Sequence, residues 1–160
     1  METQTILTPG TEAPDYKLRG PGGATYTLSE HRGECAVLLV FFPFAFSSTC
    51  SHQLPDVQKA MAKLEAANVV VYGISVDSYH ANAAFARALG LTFPLLSDWN
   101  REASRAFGSL FQPGNFAWRA SFLVDKAGTI VWSEIAEDLD GFDQIPSVER
   151  ALAALVNTPG

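Results

Sequence analysis

The segment FFPFAFSSTC, Phe41 to Cys50, concentrates the residues best suited to chemistry: the hydroxyls of Ser47, Ser48 and Thr49, followed by a thiol. It opens as a buried strand would and breaks at Pro43. Beyond it, Leu54, Val57, Met61 and Leu64 are spaced three or four apart, which predicts a helix from Ser48 to about Ala67, bent at Pro55. Cys50 therefore falls in the first turn of a helix, where unpaired backbone N–H groups and the positive end of the macrodipole favour an anion. A thiolate is such an anion, and with a cationic neighbour this setting lowers a cysteine pKa from about 8.5 into the range ~3.5 to 7.5. Ser47, Ser48 and Thr49 are candidate caps, yet no Glu or Gln lies three residues after any of them, so one hydroxyl is left available to a substrate. By residue type alone, a lone cysteine such as Cys50 reads more often as a small buried hydrophobe, and its place at a strand-to-helix turn is what sets the reactive reading level with that one.

The elements that must hold this thiol follow from periodicity and breakers. DYKLRGPGGATYTLSEHRG predicts an N-terminal β-hairpin around a Pro/Gly turn, and CAVLLVFF (Cys35 to Phe42) a strand covered on both faces. NVVVYGISVD is a second buried strand, making a right-handed βαβ unit with the helix between. Ser78 to Leu89 reads as a helix capped by Asp77 or Ser78 and stopped by Gly90; LTFPLLSDW as a short strand and loop; Asn100 to Phe107 as another helix. WRASFLVD and TIVWSEI form a hairpin turning at Gly128, and Pro146 with Ser147 opens a last helix. The expected fold is α/β and thioredoxin-like: a mixed central sheet with helices on both faces. In such sheets ligands bind beyond the carboxyl ends of the strands, where the Pro43 to Thr49 loop emerges.

Composition sets the outer bounds. A chain of 160 residues suits one domain, residues 1–160, with about 1–10 and 157–160 expected to be loosely ordered. A net charge of -6 speaks against nucleic acid, because phosphate binding needs clustered cations. METQTILTPG has neither a basic nor a long apolar stretch, and the apolar run from Cys35 to Phe46 is too short to span a bilayer, so a cytoplasmic protein without membrane association is expected. Two cysteines and three scattered histidines offer no zinc-ligand spacing; no metal or cofactor is expected, and the thiols should start reduced. His31, His52 and His80 read as surface histidines, and Asp77, Asp98, Asp125 and Asp138 as turn or cap residues.

Pro43, Ser47 and Cys50 form P-x-x-x-S-x-x-C, which resembles the peroxidatic signature P-x-x-x-T/S-x-x-C of the peroxiredoxins, the AhpC/TSA superfamily. APDYKL, VLLVFFP, VYGISVDS, FPLLSD and RASFLVDKAGTI resemble peroxiredoxin segments in the same order, over nearly the whole chain, and most resemble the one-cysteine alkyl hydroperoxide reductase E type. The resemblance implies a thiol peroxidase in which Cys50 is the peroxidatic thiolate, Ser47 contacts sulfur and peroxide, Pro43 shields the pocket and Arg119 supplies the cation. Pro43, Ser47, Thr49, Gln53 and Arg119 would contact the substrate, Gln53 standing where the family has a Glu or Gln bonded to that arginine. Ser47 departs from the commoner Thr and loses a methyl that restricts rotamers. By themselves, Arg119 reads as a solvated strand-end arginine and Gln53 as an exposed helix residue.

Cys35 begins the strand whose far end leads to Cys50, on the order of 20 Å away, whereas a disulfide needs Cα atoms within about 7 Å. Turnover is therefore expected to use one cysteine and an external reductant, either a low-molecular-weight thiol or a thioredoxin- or glutaredoxin-like protein. Phe44, Phe46, Trp99, Phe116 and Trp118 in predicted loops suggest a pocket wall or a homodimer contact. Two other functions compete. A thiol–disulfide oxidoreductase needs paired cysteines, and the residue three before Cys50 is Ser47. A non-catalytic redox-sensing or interaction domain would keep the fold with an ordinary thiol.

Overall fold

The computed structural model describes residues 5–47, 50–136 and 144–156, without the side chains of residues 50–53 and 144–147. Its centre is β3 (Ala36–Phe41), six apolar residues that are all buried. An interior strand must satisfy hydrogen bonds on both edges. On one side β3 runs parallel to β4 (Val69–Ser75), Ala36 opposite Val69 and Phe41 opposite Ile74. On the other it runs antiparallel to β8 (Ala120–Val124), Val37 opposite Val124 and Phe41 opposite Ala120. The hairpin β1 (Lys17–Arg19) and β2 (Thr25–Thr27), with β5 (Leu95–Ser97) and β9 (Ile130–Ile135), complete a mixed sheet of order β2-β1-β5-β4-β3-β8-β9.

Alternation along β3 divides the core in two. Ala36, Leu38, Val40 and Phe42 join the cluster built on α1 (Cys50–Lys59), α2 (Met61–Ala66), α3 (Tyr79–Leu89) and α5 (Gln144–Val156), through Leu54, Val57, Leu64, Phe85, Val148 and Ala151. Val37, Leu39 and Phe41 face the opposite cluster, with Ala103 of α4 (Glu102–Ala106) and Phe107 just beyond it. There Phe41, Phe107 and Phe122 form a ring triangle with centroids 5.0–5.6 Å apart, each ring contributing roughly 1.5–3 kcal/mol by burial. Helices thus lie on both faces, as the sequence predicts.

Several local expectations need correction. The interruption between α1 and α2 lies at Ala60, not Pro55, which sits inside α1. Ala60 leaves helical geometry at φ -92°, ψ 1°, and its N–H donates to Val57 O at 3.0 Å, tightening the last turn. Pro55, near the start of α1, forfeits a single backbone bond. The stretch expected to be loose is anchored from Leu7: Leu7 N–H donates to Phe107 O (3.1 Å), Gly10 N–H to Ile130 O (2.8 Å), and Ser133 Oγ to Leu7 O (2.8 Å). The chain ends, 1–4 and 157–160, lie outside the described residues. A small hairpin, β6 (Leu110–Phe111) with β7 (Phe116–Ala117), is too short to leave a periodic signal. No helix among the described residues is long and apolar enough to cross a membrane.

Candidate active site at the carboxyl end of β3

The strand ladder runs one residue past Phe41, Phe42 N–H donating to Ile74 O at 2.9 Å. Pro43 follows, buried and without an N–H, so the ladder stops there. The turn that follows is strained, for Phe46 holds φ 65°, a left-handed conformation costing a phenylalanine about 1–2 kcal/mol. Ser47 N–H reaches Phe44 O at a long 3.4 Å, and the half-buried Ser47 keeps its hydroxyl oxygen shut off from solvent. Cys50 then opens α1, its backbone at the helix N-terminus as predicted. Thr49 lies outside the described residues, as do the side chains of Cys50, His52 and Gln53.

Arg119 reaches the same edge from the neighbouring strand. Phe41 faces Ala120 in the register, so one step further along each strand sets Arg119 opposite Phe42 and beside Pro43. It is 2% exposed, which removes the solvated strand-end alternative. Burial of an arginine is costly unless its charge is used. Its backbone is held tightly: Arg119 O accepts from Ala136 N–H at 2.9 Å, the adjacent Trp118 Nε1–H donates to Ala136 O at 2.8 Å, and Trp118 N–H to Ser109 O at 2.7 Å.

A residue that the sequence reading treats as a cap has a longer reach. Asp77 Oδ2 accepts from Ala45 N–H at 2.7 Å, across 32 residues, and from Ser75 Oγ at 2.8 Å. The α3 cap is Ser78, whose Oγ accepts from Ala81 N–H at 3.1 Å. No spacing rule signals the Asp77 link, because it depends on how two loops meet at a sheet edge. Asp98 and Asp125 do act locally: Asp98 accepts from Ala103 N–H, Ser104 N–H and Ser104 Oγ, and Asp125 from Ala127 N–H and Thr129 N–H. Asp138 lies outside the described residues.

At the opposite end of β3, Cys35 is buried, and burial, then the Glu34 charge, pushes its thiol above the ordinary value. Such a thiol is a poor nucleophile at neutral pH. His31 is not the bare surface histidine expected; half-buried, it shares a 2.6 Å hydrogen bond with Tyr72 Oη. Burial, then Glu30, raises the Tyr72 pKa. His80 is exposed, its ring 4.1 Å from that of Tyr79. Of the loop aromatics, Trp118 is buried and Phe116 half-buried on β7, whereas Phe44, Phe46 and Trp99 remain 42%, 57% and 61% exposed.

The order of strands, with a strand-to-helix loop leaving the middle of the sheet, is that of a thioredoxin-like fold. The model of the AhpC/TSA family matches residues 9–133, and the chain belongs to that family, the peroxiredoxins. It is 36% identical over 152 residues to alkyl hydroperoxide reductase E of Mycobacterium tuberculosis, covering 94% of this chain and 99% of that one. The chloroplastic 2-Cys peroxiredoxin BAS1 of Spinacia oleracea is 31% identical over 159 residues, 93% of this chain and 60% of that one. The solved structure of Mycobacterium tuberculosis AhpC superposes with a TM-score of 0.82 at 29% identity, covering 96% of this chain and 100% of that one. The protein is accordingly a thiol peroxidase, an oxidoreductase of the peroxiredoxin class.

Proposed function

We propose that Cys50 is the peroxidatic cysteine and that the enzyme works by a one-cysteine cycle on hydrogen peroxide and organic hydroperoxides. The Cys50 thiolate attacks the terminal oxygen of ROOH. An S–O bond forms, the O–O bond breaks, sulfur loses two electrons, and the leaving RO⁻ takes a proton to depart as ROH. The sulfenic acid then reacts with an external thiol, releasing water and forming a mixed disulfide. A second thiol attacks that disulfide and restores the Cys50 thiolate. The reductant is a low-molecular-weight thiol or a thioredoxin- or glutaredoxin-like protein, and a cytoplasm that keeps thiols reduced suits such a cycle.

The observation that carries this reading is the burial of Arg119 across from the residues that lead out to Pro43. A guanidinium there, the Ser47 hydroxyl and the N–H groups opening α1 are donors that strengthen as charge grows on the leaving oxygen. Pro43 is buried where the ladder stops and would exclude water there; the family resemblance adds Thr49 and Gln53 as further substrate contacts. The one-cysteine form is favoured by Cys35, which precedes all six residues of β3 while Cys50 follows its far end. Three exposed rings, Phe44, Phe46 and Trp99, favour a homodimer, Trp99 standing beside a cavity of about 380 Å3 that a second copy would cover.

One equivalent of peroxide followed by a dimedone-type label, read by mass spectrometry, tests the reading. Label on Cys50, none in Cys50→Ser and no Cys35 to Cys50 disulfide during turnover are expected. An unlabelled Cys50 would reject the peroxidatic assignment, and an obligatory Cys35 to Cys50 disulfide would reject the one-cysteine cycle.

A further inference from the structure

The loop that delivers Cys50 carries a left-handed phenylalanine at Phe46 and leaves two of its rings, Phe44 and Phe46, only partly covered. Apolar burial alone does not hold such a segment: Phe44 leans on Phe116 with centroids 5.0 Å apart, and Phe46 on Phe85 at 4.9 Å. Between these rings, Ala45 N–H points at the Asp77 carboxylate. That carboxylate stands on a rigid base. Ser97 Oγ donates to Asp77 O at 2.6 Å, Asp77 N–H donates to Ser75 Oγ at 3.3 Å, and the buried Asn82 links Ser75 (3.1 Å from its Oδ1) to Leu96 O (3.2 Å from its Nδ2). Three elements, β4, β5 and α3, therefore fix where Asp77 stands. Because Ser78 already caps α3, the Asp77 carboxylate is available for the longer contact.

We propose that Asp77 is a positioning residue for peroxide reduction: its carboxylate tethers the Pro43–Ser47 loop to the end of β4 and so sets where α1 begins and where Cys50 stands. The inference rests on Cys50 being the peroxidatic residue, and it concerns a residue that touches neither thiol nor peroxide. A charge-assisted hydrogen bond to a backbone N–H is roughly twice as strong as a neutral one. Its loss lets the strained turn relax and spreads the donors that must converge on sulfur. Asn at this position keeps one oxygen able to accept from Ala45 N–H and Ser75 Oγ; Ala does not.

The experiment compares Asp77→Ala, Asp77→Asn and a core variant, Leu64→Ala, which opens a cavity in α2 away from the loop. Amide hydrogen exchange reads the tether directly, and rapid mixing with peroxide reads the chemistry. In Asp77→Ala, exchange at Ala45 is expected to quicken about tenfold or more. Cys50 oxidation should slow about tenfold well below the melting temperature, and the pH midpoint of its alkylation should move upward. Asp77→Asn should restore both rates to within about threefold. Leu64→Ala should lower the melting temperature with oxidation unchanged. Ala45 exchange that is indifferent to Asp77→Ala overturns the tether, whatever the protein's activity. Asp77→Asn that oxidises as slowly as Asp77→Ala while Ala45 stays protected from exchange overturns it too, because oxidation would then follow the charge at 77 and not the bond to Ala45. Fast exchange at Ala45 with an unlabelled wild-type Cys50 would instead place the failure in the peroxidatic assignment.

Discussion

Replacing Arg119 with methionine removes a buried cation while keeping most of the side-chain volume. At 2% exposure the guanidinium acts through a low-dielectric surrounding, where a donor aimed at a developing anion is worth about 2.7–4 kcal/mol. Arg119→Met should therefore lower the second-order rate of Cys50 oxidation roughly 100- to 1000-fold. The fold should survive, because the bond from Ala136 N–H to Arg119 O belongs to the backbone. Groups left facing the missing guanidinium cost about 1–3 kcal/mol. At about 2–4 °C per kcal/mol for a chain of this size, that predicts a melting temperature lower by about 2–12 °C. On the proposed role of Arg119, losing the cation would also weaken thiolate stabilisation, so the pH midpoint of iodoacetamide alkylation should rise toward ~8.5. Arg119→Lys keeps the charge but not the planar fork and should fall between. Rapid-mixing tryptophan fluorescence follows the oxidation, with Trp118 adjacent in sequence as a reporter. If Arg119→Met oxidises within threefold of wild type with the same alkylation midpoint, the reasoning about the buried charge is refuted.

Cys35→Ala should leave peroxide turnover within about twofold in a steady-state assay. The folded protein holds the Cys35 proton more tightly than the unfolded chain, so that stabilisation is complete below the ordinary value of 9.0 and is lost as pH rises above it. The melting-temperature gap between wild type and Cys35→Ala should shrink from pH 8 to pH 10. Gly108→Ala asks for a Cβ at φ 79° with Thr5 O at 2.3 Å and Ile6 Cα at 2.9 Å; it should faster expose the Leu7 amide in hydrogen exchange and lower stability by about 1–3 kcal/mol in urea. On the proposed homodimer, Trp99→Glu puts a charge in the exposed patch and should shift sedimentation toward monomer; a wild type that sediments as monomer removes the dimer, and a variant dimer unchanged from wild type moves the interface elsewhere.

Much of this molecule is legible in one dimension. The run of apolar residues in β3 predicts a strand buried on both faces, since only an interior strand can afford no polar side. The three- and four-residue spacing of Leu54, Val57, Met61 and Leu64 predicts a helix packed along that stripe, and Gly90 its neighbour's end, in the left-handed conformation the structure shows at φ 66°. These signals are local, set by side-chain period and by breakers, so each survives in the sequence. The position of Cys50 at the opening of α1 was readable for the same reason.

What required the tertiary structure is everything that depends on which strand lies beside which. Arg119 is 69 residues from Cys50 in the numbering of the chain, and only the antiparallel register of β3 and β8 brings it beside Pro43 and buries it. Asp77 reads as a turn residue until the loop after β3 folds back against the end of β4 and offers it Ala45 N–H. His31 finds Tyr72 of β4, and Leu7 and Gly10 find Phe107 and Ile130, through contacts that no period announces. Residue type and spacing decide the elements because they are short-range properties of the backbone. The burial and partners of a charged group are decided by neighbours distant in the chain, and those exist only once the sheet has assembled.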